Sequence, residues 1–462
     1  MKVSYPATVI AMLCLLLLTN VNSFATRRTK AFSPFPLSGA GLTTVGKTLV
    51  SLPYQSTNNE NAKWVHSSDE AVAEAYAVPK KIVEKPSISL NSVKMYLLPT
   101  AQKDGSKSEY PLVISPKSDA SQAFLTQFLE RNRQWVDAAL LSFGAVLFRG
   151  FDIDTVEKIE TSIRSFEPNL NNSYRGTSPR NAQEGSRYIF SAAEVPSTYP
   201  IAQHLEMSFL PSPPKRLFFG ALKAPKVVGG ETSLADFRRV YRDIPVKLRN
   251  KLDAKKLRYT RTHQRTGSRF TSDVASMQSW EDVFGTSDKT EVEQMARDEN
   301  MPVRWEGRNH DTFVSEFVSE PFQLHPETKE AVWFNHVQVF HWTSFPAELL
   351  LAFLRTKEWR FLARSIAVGL QSMLLYGMLG KKMALNVTFG DGTPISLLEM
   401  HQIRSAIRRN MVFNRWQQGD LIMIDNFSTS HGRQPTYDKG RKVVVAWSDP
   451  LEKRNEMVAE NA

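Results

Sequence analysis

A short alternating stretch, Gln203-His204-Leu205-Glu206-Met207-Ser208, places the strongest constraint on the fold of this chain. If residues 201–210 form a strand, His204 and Glu206 point to the same face, because side chains on a strand alternate with a period of two. The pair could hold one metal ion, but a third ligand must come from elsewhere, and His431 is the candidate. The fold must therefore bring a C-terminal segment beside residues 201–210.

The composition narrows the choice of metal ligands. Cys14 is the only cysteine and lies in an apolar N-terminal run, which excludes a disulfide, a cysteine nucleophile and a thiolate ligand from the rest of the chain. Among the other histidines, only His325 repeats the His-x-Glu spacing, and the intervening Pro326 favours a surface turn. Two histidines and one carboxylate are typical of non-haem Fe(II) oxygenases, and the same donors also suit zinc.

Two further residues suit a cosubstrate that carries two acidic groups. Arg441 follows His431 by ten residues, and its guanidinium can clamp a carboxylate through two hydrogen bonds. A 2-oxo acid that chelates a metal through its keto and C1 carboxylate oxygens needs such a clamp for its distal carboxylate. Thr232 is the candidate for a hydroxyl beside that clamp. Arg180 and Asn335 are the candidates for the substrate pocket.

From about residue 111 to residue 450, the chain resembles the taurine dioxygenase (TauD/TfdA) family of Fe(II)/2-oxoglutarate oxygenases, in particular its clavaminate-synthase-like and SyrP-like branch. Six segments match in the family's order: residues 147–151, 204–209, 229–232, 332–335, 389–392 and 419–433. The resemblance implies a mainly β fold with flanking helices around a double-stranded β-helix, or jelly roll. It also implies that His204, Glu206 and His431 bind Fe(II), and that Thr232 and Arg441 hold 2-oxoglutarate.

Two departures from the family pattern refine the expected reaction. Val445 stands where taurine-specific members have a second arginine for the sulfonate, so a sulfonate substrate is not expected. Glu206 stands where related halogenases have a small residue, which favours oxygenation. We expect O2-dependent hydroxylation of an unactivated C–H bond in a small amine- or amino-acid-like molecule, with release of succinate and CO2.

Two other functions remain as alternatives. A zinc hydrolase could use the same two histidines and carboxylate, but zincin-type hydrolases place two histidines four residues apart on a helix. The predicted strand pairing and the Arg441 clamp argue against that class. The second alternative is a jelly-roll binding protein without turnover, against which the complete ligand set argues.

Hydrophobic patterning predicts the elements around these motifs. We expect a helix capped by Asp119 that runs to about Leu141, a second near residues 240–251, and a strand over residues 331–340. Residues 366–379 are apolar but too short to span a bilayer, so a packed helix or a lid is expected there.

The N-terminus has the composition of a targeting sequence. Residues 1–23 combine Lys2, a ten-residue apolar run and small residues before Phe24, which is typical of a signal peptide. Residues 24–90 begin as a basic, Ser/Thr-rich leader. A signal peptide followed by such a leader, with Phe at its start, resembles the bipartite presequence of algae with complex plastids. We therefore expect a plastid location, with the secretory pathway as the alternative.

The charge distribution bears on the expected partners. The formal net charge is +11, but residues 1–59 hold five basic and no acidic residues, which leaves 53 basic and 47 acidic residues, or +6, elsewhere. Nucleic acid is therefore not an expected partner. We expect a small-molecule substrate, no stable membrane anchor after processing, and either a monomer or a homo-oligomer. The oxygenase domain should cover residues 91–452, followed by a tail over residues 453–462.

Overall fold

The computed structural model describes residues 92–98, 111–172, 180–208, 213–267, 279–298, 302–307, 309–381 and 383–450. All of these belong to the second of two compact units, residues 65–462. The expected signal peptide, the leader over residues 24–90 and the tail over residues 453–462 lie outside the described residues. The domain bounds at residues 91 and 452 therefore stay a prediction.

Four sheets are formed by the described strands. The large sheet contains β1 Val93–Leu97, β2 Leu112–Pro116, β3 Ala145–Phe148, β4 Phe190–Ser191, β6 Arg216–Lys223, β15 Leu421–Asp425 and β17 Lys442–Trp447. The small sheet contains β5 Ile201–His204, β7 Thr232–Asp236, β14 Met411–Asn414 and β16 Thr429–Arg433. A third sheet contains β8 Leu257–His263, β9 Val303–Glu306, β10 Thr312–Ser319 and β13 Leu385–Phe389, and β11 Gln323–Leu324 pairs with β12 Ala331–Val332.

Helices surround these sheets. The helices of the described ranges are α1 Gln122–Arg131, α2 Arg133–Phe143, α3 Val156–Phe166, α4 Phe237–Asp243, α5 Val246–Lys255, α6 Trp280–Phe284, α7 Lys289–Asp298, α8 Val337–Phe340, α9 Ser344–Thr356, α10 Trp359–Ser372 and α11 Leu397–Arg409. A π-helical turn, Met373–Met378, continues α10.

The large sheet has the order β1-β2-β3-β15-β6-β17-β4 and the small sheet the order β14-β7-β16-β5. Only β2 and β3 are parallel within these two sheets. Strands that are distant in the sequence are hydrogen-bonded neighbours in both sheets. This connectivity places the last strands of the chain beside strands from its middle.

The large and small sheets pack face to face, because side chains along each strand point alternately to opposite faces of its sheet. Phe219 and Val445 of the large sheet belong to the same buried cluster as Leu234 of the small sheet. Their neighbours Phe218 and Val444 point the other way, into the cluster that includes α1, α2 and α3. The expected mainly β fold with flanking helices and a jelly-roll core is thus confirmed.

Three expected elements were wrong in extent. The helix expected from Asp119 is two helices that meet at Asn132, and Ser121 caps the first by accepting a hydrogen bond from the Phe124 N–H. The helix expected near residues 240–251 is interrupted at Pro245, which lacks the N–H needed to continue it.

The third difference concerns residues 331–340. The strand ends at Val332, and a short helix, α8, follows. Asn335 causes this change, because its side-chain oxygen accepts a hydrogen bond from the Val337 N–H at 3.0 Å and closes a turn before the helix.

Candidate metal centre

The small sheet brings His204 and His431 together. β5 and β16 are antiparallel neighbours, and His204 lies directly opposite His431 in their register. Side chains opposite one another on a sheet share a face, so the two imidazole rings lie with their centroids 4.3 Å apart. Phe219 of the large sheet packs against the His431 ring at a centroid distance of 5.0 Å. The two ligands of the expected centre are therefore held on a paired, buried frame.

Glu206 reaches the same place by a different route from the one expected. β5 ends at His204, and residues 206–208 form a turn in which Met207 has a φ of +53°. The expected strand over residues 201–210 was therefore wrong over residues 205–208. The Glu206 carboxylate nevertheless faces both histidines, with its Oε2 3.9 Å from His204 Nε2 and 3.5 Å from His431 Nε2.

Asn426 holds the Glu206 backbone in this turn. Its side-chain oxygen accepts the Glu206 N–H at 2.8 Å, and its amide nitrogen donates to the Glu206 and Pro214 carbonyls at 2.9 Å each. Asn426 itself is fully buried, between β15 and β16. A residue distant in sequence thus takes the place of the strand ladder that was expected to orient Glu206.

The protonation states of His204 and Glu206 suit a metal. His204 Nδ1 lies 2.9 Å from the Ala202 carbonyl, which fixes the proton on Nδ1 and leaves the Nε2 lone pair toward Glu206. Burial and the neighbouring His431 lower the pKa of His204 to about 4, so the ring is neutral at neutral pH. Within the described part of the chain, His204, Glu206 and His431 form the group whose ligand atoms all lie within 4.8 Å of one another.

The charge of Glu206 is stabilised by its neighbours. Burial alone would raise the pKa of Glu206, but the hydrogen bond with His431 and the charge of Arg180 outweigh this and hold the pKa well below its usual range. The buried Arg180 guanidinium lies 3.3 Å from Glu206 Oε2. Two imidazoles and one carboxylate are therefore the donor set, which fits a divalent cation with open coordination positions.

Arg441 lies against the glycine turn that precedes Thr232 in the chain. Arg441 Nε donates to the Gly230 carbonyl at 2.7 Å, two residues before the buried Thr232. Gly230 has a φ of +75°, and a Cβ there would lie 3.1 Å from Arg441 Cδ, so the close approach depends on glycine. Burial and the charge of Arg433 lower the pKa of Arg441, whereas Glu231 opposes the shift. The local charge is therefore predominantly positive.

Asn335 has a different setting. Its amide nitrogen donates to the Pro321 carbonyl at 2.8 Å, and its oxygen caps the turn before α8. Both ends of the side chain bind backbone groups, which gives Asn335 a structural role. Its expected place in the substrate pocket stays a prediction.

A further buried pair near the centre was not expected from the sequence. His336 Nδ1 lies 2.8 Å from the Ser208 hydroxyl, and the His336 ring centroid is 5.8 Å from that of His204. Burial and the charge of His204 lower the pKa of His336 to about 3, so this ring is also neutral at neutral pH. Ser208 lies in the same stretch as His204 and Glu206, but nothing in the sequence pairs it with His336.

His325 and Glu327 do not form a second centre. His325 Nε2 lies 2.9 Å from Asp425 Oδ2, and its Nδ1 accepts the Glu327 and Thr328 N–H groups. The side chain of Glu327 instead pairs with Lys215 at 2.8 Å. The interpretation of this pair as turn chemistry agrees with these contacts, although the imidazole is buried.

Comparison with known proteins agrees with this geometry. The profile of the family described as "Taurine catabolism dioxygenase TauD, TfdA family" matches residues 113–447. The dapdiamide synthesis protein DdaC of Enterobacter agglomerans is 27% identical over 341 residues, which cover 74% of this chain and 91% of that protein. A clavaminate synthase-like protein of Arabidopsis thaliana is 27% identical over 355 residues, which cover 75% and 95%.

A solved structure adds a more distant likeness. PvcB of Pseudomonas aeruginosa gives a TM-score of 0.43 at 12% identity and covers 79% of this chain and 95% of its own. The match of the family profile spans most of the chain and contains both histidines, Glu206, Thr232 and Arg441. The chain therefore belongs to the TauD/TfdA family and is an Fe(II)- and 2-oxoglutarate-dependent dioxygenase.

Proposed function

We propose that this dioxygenase hydroxylates an unactivated C–H bond of a small amine- or amino-acid-like substrate, with release of succinate and CO2. The observation that carries the proposal is the convergence of His204, Glu206 and His431, whose ligand atoms lie within 4.8 Å of one another. The intact carboxylate at Glu206 supports oxygenation over halogenation, since the carboxylate occupies the position that a halide would need.

In this proposal His204, Glu206 and His431 hold Fe(II), which together with 2-oxoglutarate and O2 supplies the oxidising chemistry. The chain's own contribution is to fix the donor atoms. The Ala202 carbonyl holds the His204 tautomer, and Asn426 holds the Glu206 backbone. Burial of all three side chains, to between 5% and 15% side-chain exposure, limits the access of water.

The cosubstrate site is proposed to consist of Arg441 and Thr232. The Arg441 guanidinium would take the distal carboxylate of 2-oxoglutarate through two parallel hydrogen bonds, and the Thr232 hydroxyl would add a third. Arg441 Nε already donates to the Gly230 carbonyl, which orients the plane of the guanidinium. The positive charge of the neighbouring Arg433 also favours a dianionic ligand.

Arg180 is the proposed contact for an acidic group of the substrate. Its guanidinium lies beside the Glu206 carboxylate and is buried, so a cation stands next to the reacting centre. An amino-acid carboxylate would complement that cation. Val445, by contrast, is buried in the core between the sheets, so the position of the sulfonate-binding arginine of taurine-specific members offers no charge here.

The first test is the visible absorption spectrum of the full-length protein under anaerobic conditions. Addition of Fe(II) and then 2-oxoglutarate should produce a metal-to-ligand charge-transfer band. Glu206→Ala should abolish both the band and hydroxylation. Glu327→Ala is the matched control, because it removes the glutamate of the other His-x-Glu pair and should leave the band unchanged.

Each failure of this test has a distinct meaning. A protein that gives no band but retains zinc through purification would favour the hydrolase alternative. A protein that gives no band and holds no metal would favour a binding protein. A wild-type band in the Glu206→Ala variant would remove Glu206 from the ligand set.

We also propose a plastid location, supported by the composition of residues 1–90. A fusion of these residues to a fluorescent protein should enter the plastid of an alga with complex plastids. Phe24→Ala should divert it, while Phe32→Ala should not, because only Phe24 follows the expected cleavage point. Secretion of the wild-type fusion would instead support the secretory alternative.

A further inference from the structure

One continuous helical segment carries much of the exposed apolar surface of the described chain. Of the fifteen large hydrophobic residues that are exposed in the described ranges, six lie in α10, the π-helical turn and the residue after it. We call them the apolar stripe: Trp359, Ile366, Leu370, Leu374, Met378 and Leu379. From Ile366 to Met378 they recur every four residues, which places them on one side of the helix. An apolar strip of this length is unusual on a free surface.

The outward side of this helix is apolar, while its inward side mixes Phe361 and Met373 with two serines. A surface helix normally turns its apolar side to the core and its polar side to water. Here Ser365 and Ser372 are buried, and the Ser365 hydroxyl donates to the Pro346 carbonyl of α9 at 2.8 Å. Leu370 and Leu374 point to solvent instead, with exposures of 41% and 50%. The outward side is therefore built to contact something apolar.

The charged residues that follow Glu358 along the stripe are all basic. Between residues 359 and 382 the sequence contains Arg360, Arg364, Lys381 and Lys382 and no acidic residue. Glu358, just before the helix, pairs with Arg360 at 2.8 Å. An apolar helix face with a tryptophan at one end and basic residues along it is typical of helices that lie in the interface of anionic membranes.

This charge pattern discriminates between two candidate occupants. A second copy of the chain would bring the same basic residues together, and Glu358, the acidic residue at the start of the helix, is already paired with Arg360. An anionic lipid surface would satisfy both the leucines and the cations. The segment Trp359–Met378 is also the described helix that is long and apolar enough to cross a membrane by length and composition. Its packing on α9 through Phe361 and Ser365 opposes a crossing.

We propose that the apolar stripe docks on the surface of an anionic lipid bilayer and lies in the interface plane without spanning it. The helix contacts both loops that lead into the metal centre. Arg364 stacks over the Tyr199 ring at 4.1 Å, shortly before β5, and Phe361 packs against Tyr437 at 5.0 Å, between His431 and Arg441. Docking therefore places these loops near the lipid headgroups. The inference does not depend on the proposed substrate.

The test uses position-specific fluorescence in the full-length chain, because the apolar N-terminus could bind vesicles by itself. Cys14→Ser removes the only cysteine. Met378→Cys and, in a separate protein, Leu398→Cys then place one environment-sensitive NBD label on the stripe or away from it. The two positions are matched in exposure, at 65% and 66%. Vesicles of phosphatidylcholine with phosphatidylglycerol are compared with pure phosphatidylcholine vesicles.

The label at position 378 should shift to the blue with the anionic vesicles and much less with neutral ones, and the label at position 398 should not shift. Added salt should weaken the effect. Leu370→Gln with Leu374→Gln should reduce the apparent vesicle affinity by roughly tenfold or more, since two leucines lose their burial. Leu324→Gln with Leu398→Gln, two leucines at 60% and 66% exposure, is the control pair that should bind as wild type.

Three results would overturn the proposal. The first is no shift at position 378, and the second is an equal shift at positions 378 and 398. The third is a shift at position 378 without vesicles, accompanied by a dimer mass in light scattering, which would assign the stripe to a second copy of the chain. Circular dichroism of the glutamine variants checks that their helices remain folded.

Discussion

Replacement of Asn426 should weaken metal binding although Asn426 is not itself a ligand. Its side chain makes three hydrogen bonds, at 2.8, 2.9 and 2.9 Å, and two of them hold the N–H and carbonyl of Glu206. Asn426→Ala removes all three, so the turn that presents the carboxylate loses its anchor. The three ligand residues are themselves unchanged, but the free energy needed to bring the Glu206 carboxylate into position increases.

The size of the effect follows from the two bonds to Glu206. A net contribution of about 1 kcal/mol for each buried hydrogen bond gives about 2 kcal/mol. Because about 1.4 kcal/mol is a tenfold change in an equilibrium constant, metal affinity should fall by roughly 30-fold. This value lies within the roughly 10- to 100-fold loss typical when a residue that orients a metal ligand is removed.

The assay is titration of the protein with Mn(II), with free Mn(II) measured by electron paramagnetic resonance. Asn426→Asp is the second variant, because it keeps the size of the side chain but cannot donate to the Glu206 and Pro214 carbonyls. Asn132→Ala is the control, since Asn132 is also buried, at the junction of α1 and α2, and its amide donates to the Phe128 carbonyl at 2.9 Å. It should lower stability without changing the Mn(II) Kd. Folded Asn426 variants with the wild-type Kd would refute the positioning argument.

Two further predictions address the cosubstrate and the pH dependence. Arg441→Ala should raise the 2-oxoglutarate concentration needed for half of the charge-transfer band by about 30-fold or more, because the buried carboxylate of 2-oxoglutarate loses its cation. Replacement of the exposed Lys442 by Ala is the control. An unchanged 2-oxoglutarate requirement in Arg441→Ala would remove Arg441 from the site. Burial and the charge of Arg404 lower the pKa of His341 to about 3. As the pH falls, His341 therefore binds a proton in the unfolded chain at a higher pH than in the folded chain. The stability that is present above the unfolded pKa is lost over this range. His341→Gln should therefore reduce the slope of the unfolding free energy against pH by about 1.4 kcal/mol per pH unit between about pH 4 and pH 6. The exposed His310→Gln variant is the control. A slope for His341→Gln equal to that of wild type and of this control would contradict the assignment.

The ligand types and the class of the enzyme could be predicted from the sequence. His204, Glu206 and His431 are the side chains that a divalent metal requires, and their order along the chain follows the family segments. Chemical identity and order are properties of the chain alone, so no fold was needed to recognise them.

How these residues reach one another depended on tertiary contacts. The strand expected through Glu206 ends at His204, because Asn426 supplies hydrogen bonds that local periodicity cannot reveal. Arg180 approaches Glu206 only in the folded chain, because the two residues are 26 positions apart in the sequence. The same reason applies to the apolar stripe. The hydrophobic run of residues 366–379 is visible in the sequence, but which side of its helix faces water is decided by packing against α9.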